Sequence, residues 1–262
     1  MIKFLIGILL STFSLLANAS NGTVLIVLPS VYDVEANLTT KLQAAGYTVA
    51  TSAGVPADPQ QLSTYKQIWD IRINTVLSSG DKTAYKTYLQ AGGALFLLGE
   101  NEQEPYLSRD NSFIDLAVSA GASPVTSNVV SAAVSQTVNA PFNASPNALT
   151  TVQFFNNAGI NTSGLGSASA VTVDSAGLAT AIAWKPGSMT QAPTGTIVAV
   201  FDVNPLIGTT LQGPFIANLI AYLAAPSGGN VEPASIPTLN QWAMIFLASL
   251  MALFAFARTR RQ

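Results

Sequence analysis

The chain contains no cysteine and no histidine in 262 residues. Without cysteine there are no disulfides, no thiolate nucleophile, no thiolate metal site and no iron–sulfur cluster. Without histidine the commonest general base and the commonest transition-metal ligand are gone. A Ser-His-Asp or Cys-His mechanism cannot be assembled from these residues. Charge is also scarce, with Asp, Glu, Lys and Arg making up 9% of the sequence. Four of the eleven basic residues, Lys3, Arg258, Arg260 and Arg261, stand at the two ends. Residues 20–235 keep seven basic against thirteen acidic residues, a net charge of −6. No basic patch remains for nucleic acid or a phosphate-rich surface, and neither is expected as a partner. No cofactor is expected.

What is present is concentrated at the ends. Met1-Ile2-Lys3, the apolar stretch Phe4–Leu16 and the small-x-small site Ala17-Asn18-Ala19 read as a cleavable secretory signal over 1–19, leaving Ser20 as the first mature residue. At the other end, Trp242–Ala257 carries no charge and Arg258, Arg260 and Arg261 follow it. Sixteen helical residues rise about 24 Å, a little short of the hydrocarbon core, and counting from Leu239 reaches the lower limit of about 17 residues. A C-terminal transmembrane helix is therefore expected, with the Trp242 ring at the interface and the three arginines as a cytoplasmic membrane stop. The body then lies outside the inner membrane. Residues 226–235, rich in Gly, Pro, Ser and Asn, read as a linker.

Ile236-Pro237-Thr238-Leu239 with Trp242, the apolar run and the Arg-rich end resembles the IPTL-CTERM sorting signal of Gram-negative bacteria, over residues 236–262. Ala243 departs from the glycine often found there, though a small residue is kept. The resemblance implies recognition by an exosortase, a membrane-embedded cysteine protease or transpeptidase. That enzyme would cut near the motif and release the body or pass it to a surface carrier. The implied partners are this enzyme and, at least transiently, the inner membrane. The implied destination is the periplasm, the outer surface or the extracellular matrix. Pro237 lacks an N–H and disfavours helix at Ile236, so the motif should be extended and accessible.

Between the ends, residues 20–225 read as one α/β domain. Thr23–Leu28, Gln67–Ile71, Ala94–Leu98 and Thr196–Phe201 are short apolar runs suited to strands buried on both faces. Val34–Ala45 has helical spacing and ends at Gly46, where Tyr47–Thr51 resumes as a strand. A helix opening at Gly80-Asp81 and closing at Gly92-Gly93, another over Ser112–Ala120 and a last one over Phe215–Leu223 complete the alternation. The expected fold is a flavodoxin-like, doubly wound parallel sheet. A β-rich insertion is expected at about 125–192, with strands over Val129–Val138, Thr151–Phe155, Ala170–Val173 and Ala179–Trp184.

The stretches Gln67–Asp70, Tyr88–Asn101 and Val200–Asn204 make this body resemble class I glutamine-amidotransferase-like and ThuA-like folds. Those amidotransferases use a Cys nucleophile with a His, and this chain has neither, so no catalytic residue carries over.

In open α/β sheets ligands gather beyond the C-terminal ends of the strands. The candidate ligand-binding residues there are Asp33, Glu100, Asn101, Asp202 and Asn204. Glu100, Glu102 and Glu104 form the densest carboxylate group. Such residues can bind Ca²⁺, serve as an acid–base pair on a glycoside, or merely cap helices and line loops. Asp70 and Arg72, two apart, are expected to pair, and Trp69, Tyr85 and Tyr88 to pack in the core rather than stack on sugar. The function expected is a non-enzymatic surface or matrix protein, with a polysaccharide or matrix component as possible ligand. The alternatives are a carboxylate-based hydrolase of polysaccharide or amide bonds, or a permanently anchored ligand-binding module.

Overall fold

Three uncharged runs form the spine of the molecule: β1 (Thr23–Val27), β4 (Ala94–Leu98) and β13 (Thr196–Val200). β4 and β13 are buried along their whole length, as a strand covered by helices on both faces must be. The computed structural model describes residues 20–207 and 212–225. The signal segment 1–19, the linker 226–235 and the tail 236–262 lie outside the described residues. Among the described residues no helix is long and apolar enough to cross a membrane.

With β2 (Thr48–Ser52), β3 (Gln67–Asp70), β9 (Ser169–Ala170) and β12 (Ala181–Trp184), these strands make a seven-stranded sheet of order β2-β1-β3-β4-β13-β12-β9. The first five are parallel, while β12 and β9 each run antiparallel to their inner neighbour. The sheet is thus mostly parallel, in the flavodoxin-like order, with an antiparallel extension at one end. The chain steps from β1 out to β2 and back across to β3, which puts the topological switch between β1 and β3.

Alternation along the strands supplies a core on each face. On one face Val24, Ile26, Trp69, Phe96, Leu98, Val198 and Val200 pack with α1 (Val34–Ala44) and α5 (Gly213–Ala224). On the other, Leu25, Val27, Ile68, Leu95, Leu97 and Ile197 pack with α3 (Ser79–Gln90) and α4 (Tyr106–Ser119). Trp69 stacks on Phe96 across neighbouring strands at 4.2 Å between ring centroids. Each such buried side chain contributes about 1.5–3 kcal/mol. Tyr85 and Tyr88 are buried in the core on the other face. Ser78 caps α3 in a reciprocal box with Asp81, at 3.1 and 3.2 Å. Asp58 accepts the Gln60 N–H to start a short α2 (Pro59–Leu62) that the sequence reading did not contain.

Two expectations change in the structure. α4 begins six residues before Ser112, because Arg109 and Asp110 are polar residues turned inward rather than loop residues. In the β-rich region, three expected strands each divide between sheets. Val129–Val138 becomes β5 (Val129–Ser131) and β6 (Ser135–Val138), Ala170–Val173 splits into the end of β9 and β10 (Thr172–Val173), and Ala179–Trp184 splits at Thr180 into β11 (Leu178–Ala179) and β12. With β7 (Thr151–Gln153) and β8 (Ala158–Asn161) they form two small sheets, β10-β6-β7 and β11-β8-β5.

A strand that leaves its ladder frees backbone groups that must find partners. Buried side chains supply them here. Gln136 Oε1 accepts the Thr180 N–H at 3.1 Å, and Thr172 Oγ1 accepts the Ala181 N–H at 3.1 Å. The Gln136 and Asn157 amides both donate to Thr180 Oγ1.

Candidate functional site

The C-terminal ends of the parallel strands carry two polar centres. The deeper one surrounds Asp70, the last residue of β3, which is fully buried. Arg72 reaches it with two hydrogen bonds, Nε to Oδ1 at 2.9 Å and Nη2 to Oδ2 at 2.6 Å. Arg109 of α4 adds Nη2 to Oδ1 at 2.9 Å, and the Tyr85 hydroxyl donates to Oδ2 at 2.9 Å. Burial works against the charge, but Arg109 and Arg72 hold the Asp70 carboxyl below the usual carboxylate range. Arg109 also donates to the carbonyls of Leu98 and Thr75, and lies 4.8 Å over the Phe113 ring. Arg72 and Arg109 are the only two arginines in residues 20–235, and both engage Asp70, with Arg72 also 3.4 Å from Asp81 Oδ2. This centre ties β3 to α4 and offers no free group to a substrate. Asp70 and Arg72 pair as the spacing implied. Arg109 was missed, although a lone Asp in the apolar strand Gln67–Asp70 and only two arginines in the body signal such a partner.

The second centre lies at the ends of β4 and β13. Glu100 is buried, and its Oε2 accepts the Val203 N–H at 3.0 Å. Burial, with some help from Asp202, pushes the Glu100 carboxyl up to about 7. Asp202 is fully buried, and burial pushes it up to about 6. Its Oδ1 accepts the Asn204 N–H at 2.8 Å and the Asn204 side-chain amide at 2.7 Å. Its Oδ2 accepts the Phe155 N–H at 2.6 Å, while Asn204 Nδ2 donates to the Phe155 carbonyl at 3.0 Å. Asp202 and Asn204 therefore grip both sides of the Phe155 backbone. Asn101 closes a local turn by accepting the Gln103 N–H at 3.0 Å.

The structure brings Glu100, Asp202 and Asn204 together and leaves Asp33 apart. Asp33 is exposed at the start of α1 and makes no side-chain capping bond. Glu104 is exposed and accepts from Ser108 at 2.8 Å. Among the described residues no three acidic side chains are placed to hold a metal ion. Within the run from Glu100 to Glu104, Asn101 closes a turn and Glu104 stands at the entrance of α4.

Two aromatic residues stand out on this same edge. Tyr32, just after β1 at the switch point, is 79% exposed and sits at φ +52°. A bulky residue in that left-handed region is strained. Phe155 is 50% exposed, although its backbone is gripped on both sides, and Asn156 beside it has φ +55°. Sequence reading missed the Phe155 ring, since an aromatic at the end of the expected strand Thr151–Phe155 reads as core. A cavity of about 450 Å³ opens beside α1 and α5, lined by Asn21, Lys41, Tyr47, Gly213 and Ile220 among others. Its lining includes no residue of either polar centre.

Residues 234–261 match the family model of the IPTL-CTERM motif. The tail is a sorting signal of an exported protein. No curated protein matches the sequence. Two solved structures share the fold of the body. One is described as "mmIFT52 N-terminal domain", with 13% identity and a TM-score of 0.58, covering 79% of this chain and all of that one. The other is a putative ThuA-like protein from Bacteroides uniformis ATCC 8492, with 10% identity and a TM-score of 0.52, covering 82% of this chain and 96% of that one. The ThuA-like resemblance read from the sequence holds at the level of fold. Identities this low say nothing about ligand or chemistry.

Proposed function

We propose that this chain is an exported, non-enzymatic surface or matrix protein. An exosortase-like membrane enzyme sorts it through the Ile236–Leu239 motif, and its α/β body binds extracellular polysaccharide at the C-terminal rim of the sheet. One observation carries the binding role: Asp202 and Asn204 fix the backbone of Phe155 while half of its surface stays in water. An exposed aromatic residue whose backbone is fixed is partly pre-organised for stacking, because the chain beneath it needs little further ordering on binding. Tyr32 supports the reading, since its strained backbone presents a ring that packs on almost nothing.

Polysaccharide from the extracellular matrix of the native host tests this in affinity electrophoresis. The wild-type body should be retarded, and Phe155→Ala and Tyr32→Ala should each weaken the retardation about tenfold. Equal mobility of wild type and both variants at every polysaccharide concentration would remove the binding role.

A carboxylate-based hydrolase is the second reading. The raised Glu100 and Asp202 favour it, because acid–base pairs are tuned that way. Their bonds to backbone N–H groups oppose it. Cleavage of the bound polysaccharide by wild type, lost in Glu100→Gln at unchanged stability, would establish the hydrolase in its place.

A further inference from the structure

Three buried carboxyl groups lie beneath the rim, and one has no well-formed hydrogen bond. Glu100 accepts the Val203 N–H, and Asp202 accepts those of Phe155 and Asn204. Asp110, in the second turn of α4, is fully buried, and neither of its carboxyl oxygens has a hydrogen-bond partner among the described residues. It is aimed at the turn that carries Glu100: a Cβ on Gly99 would overlap its Oδ1. The Glu100 N–H faces it and favours its ionised form, but falls short of full hydrogen-bond geometry.

The three groups act on one another in series. The Asp202 charge bears on Glu100, and the Glu100 charge bears on Asp110. From its own helix, Asp110 faces the cation of Arg109, which is already committed to Asp70 and to the Leu98 and Thr75 carbonyls. Among the described residues, no other cation acts on any of the three carboxyls.

We propose that Asp110, Glu100 and Asp202 form an acid-set latch: protonated, they hold the ends of β4 and β13 and the Phe155 loop in place, and their joint ionisation releases that rim. Its consequence for ligand retention rests on the binding role of Phe155, whereas the latch is read from the carboxyl cluster alone. A buried carboxyl without partners costs least when neutral. Burial lifts Asp110 well above the ordinary carboxylate range, in line with Glu100 and Asp202. Ionisation places like charges in one low-dielectric cluster with a single, already engaged cation nearby. A protein displayed outside the cell meets the pH of its surroundings directly, so its rim would be firm in mild acid and loose above neutrality.

Amide hydrogen exchange on the full chain, in detergent and without ligand, tests the latch. Rates at about pH 5 and about pH 8 are corrected for intrinsic exchange. Protection of the Phe155, Val203 and Asn204 amides should fall about tenfold or more at the higher pH, while β1 and β3 keep theirs. Asp110→Asn, which cannot ionise, should retain most of the rim protection at the higher pH. Should that variant not fold, Glu100→Gln serves, since its amide oxygen still accepts the Val203 N–H. Rim protection that does not change with pH, or that falls as far in the folded variant as in wild type, overturns the proposal. Because no polysaccharide is present, the latch and the binding role fail or stand separately.

Discussion

The Asp202 carboxyl accepts the Phe155 N–H at 2.6 Å, so a fully buried acid at the end of β13 positions an aromatic residue that is half in solvent. Removing the acid leaves the Phe155 and Asn204 N–H groups without an acceptor. Asp202→Ala should lower stability by about 2 kcal/mol in urea denaturation. Phe155→Ala should lower it by less than about 1 kcal/mol, because much of the ring is already hydrated. A large stability loss from Phe155→Ala would make the ring a core residue.

Tyr32 gives the converse test. Its left-handed backbone costs about 1–2 kcal/mol, of which glycine returns part in chain entropy. Tyr32→Gly should leave stability unchanged or raise it by up to about 1 kcal/mol, while weakening polysaccharide binding. A clear loss of stability would show that the ring packs on the body and that the strain serves the fold.

The Asp70 centre should behave quite differently. Asp70→Ala strands two buried guanidinium groups, and a loss of about 3–5 kcal/mol is expected. The Lys82–Asp115 pair is the internal control, with the Asp115 side chain 65% exposed. Asp115→Ala should cost no more than about 1 kcal/mol. Similar losses for the two variants would contradict the assignment of Asp70 as the tie between β3 and α4.

Stability should also run against the usual pH trend. Glu100, Asp202 and Asp110 have raised carboxyl pKa values in the folded state, so the folded protein holds more protons than the unfolded chain from about pH 4 upward. Their contribution is complete below the ordinary carboxylate pKa and is lost as pH rises through about 6 and about 7. Asp70 and Asp174 are lowered, so theirs is present above the ordinary value and lost in stronger acid. Urea midpoints should peak near about pH 5 and fall toward about pH 8, with Glu100→Gln flattening that fall. A midpoint that keeps rising to pH 8 would be the wrong sign.

The parts of the fold that follow from hydrophobic pattern were legible. Ala94–Leu98 reads as a buried strand and is one, and Gly46 and Gly92 stand just past the ends of α1 and α3 at φ +85°. What pattern cannot carry is a polar interior. Arg109 and Asp110 hid the first turns of α4, because inward-facing charges look like loop residues. Thr180 hid the exchange between β11 and β12, because an apolar run on either side of a threonine reads as one strand. At the rim, Glu100, Asp202 and Asn204 were visible as residue types at strand ends. Their common task was not, since it depends on Phe155, which comes from a separate stretch of chain some fifty residues before Asp202.

The account depends first on the chain leaving the cytoplasm and being sorted by its tail. Mass spectrometry of the protein from its native host measures both ends at once. The expected product begins at Ser20 and ends close to Pro237, with the body outside the inner membrane. A cytosolic protein running intact from Met1 to Gln262 would contradict it.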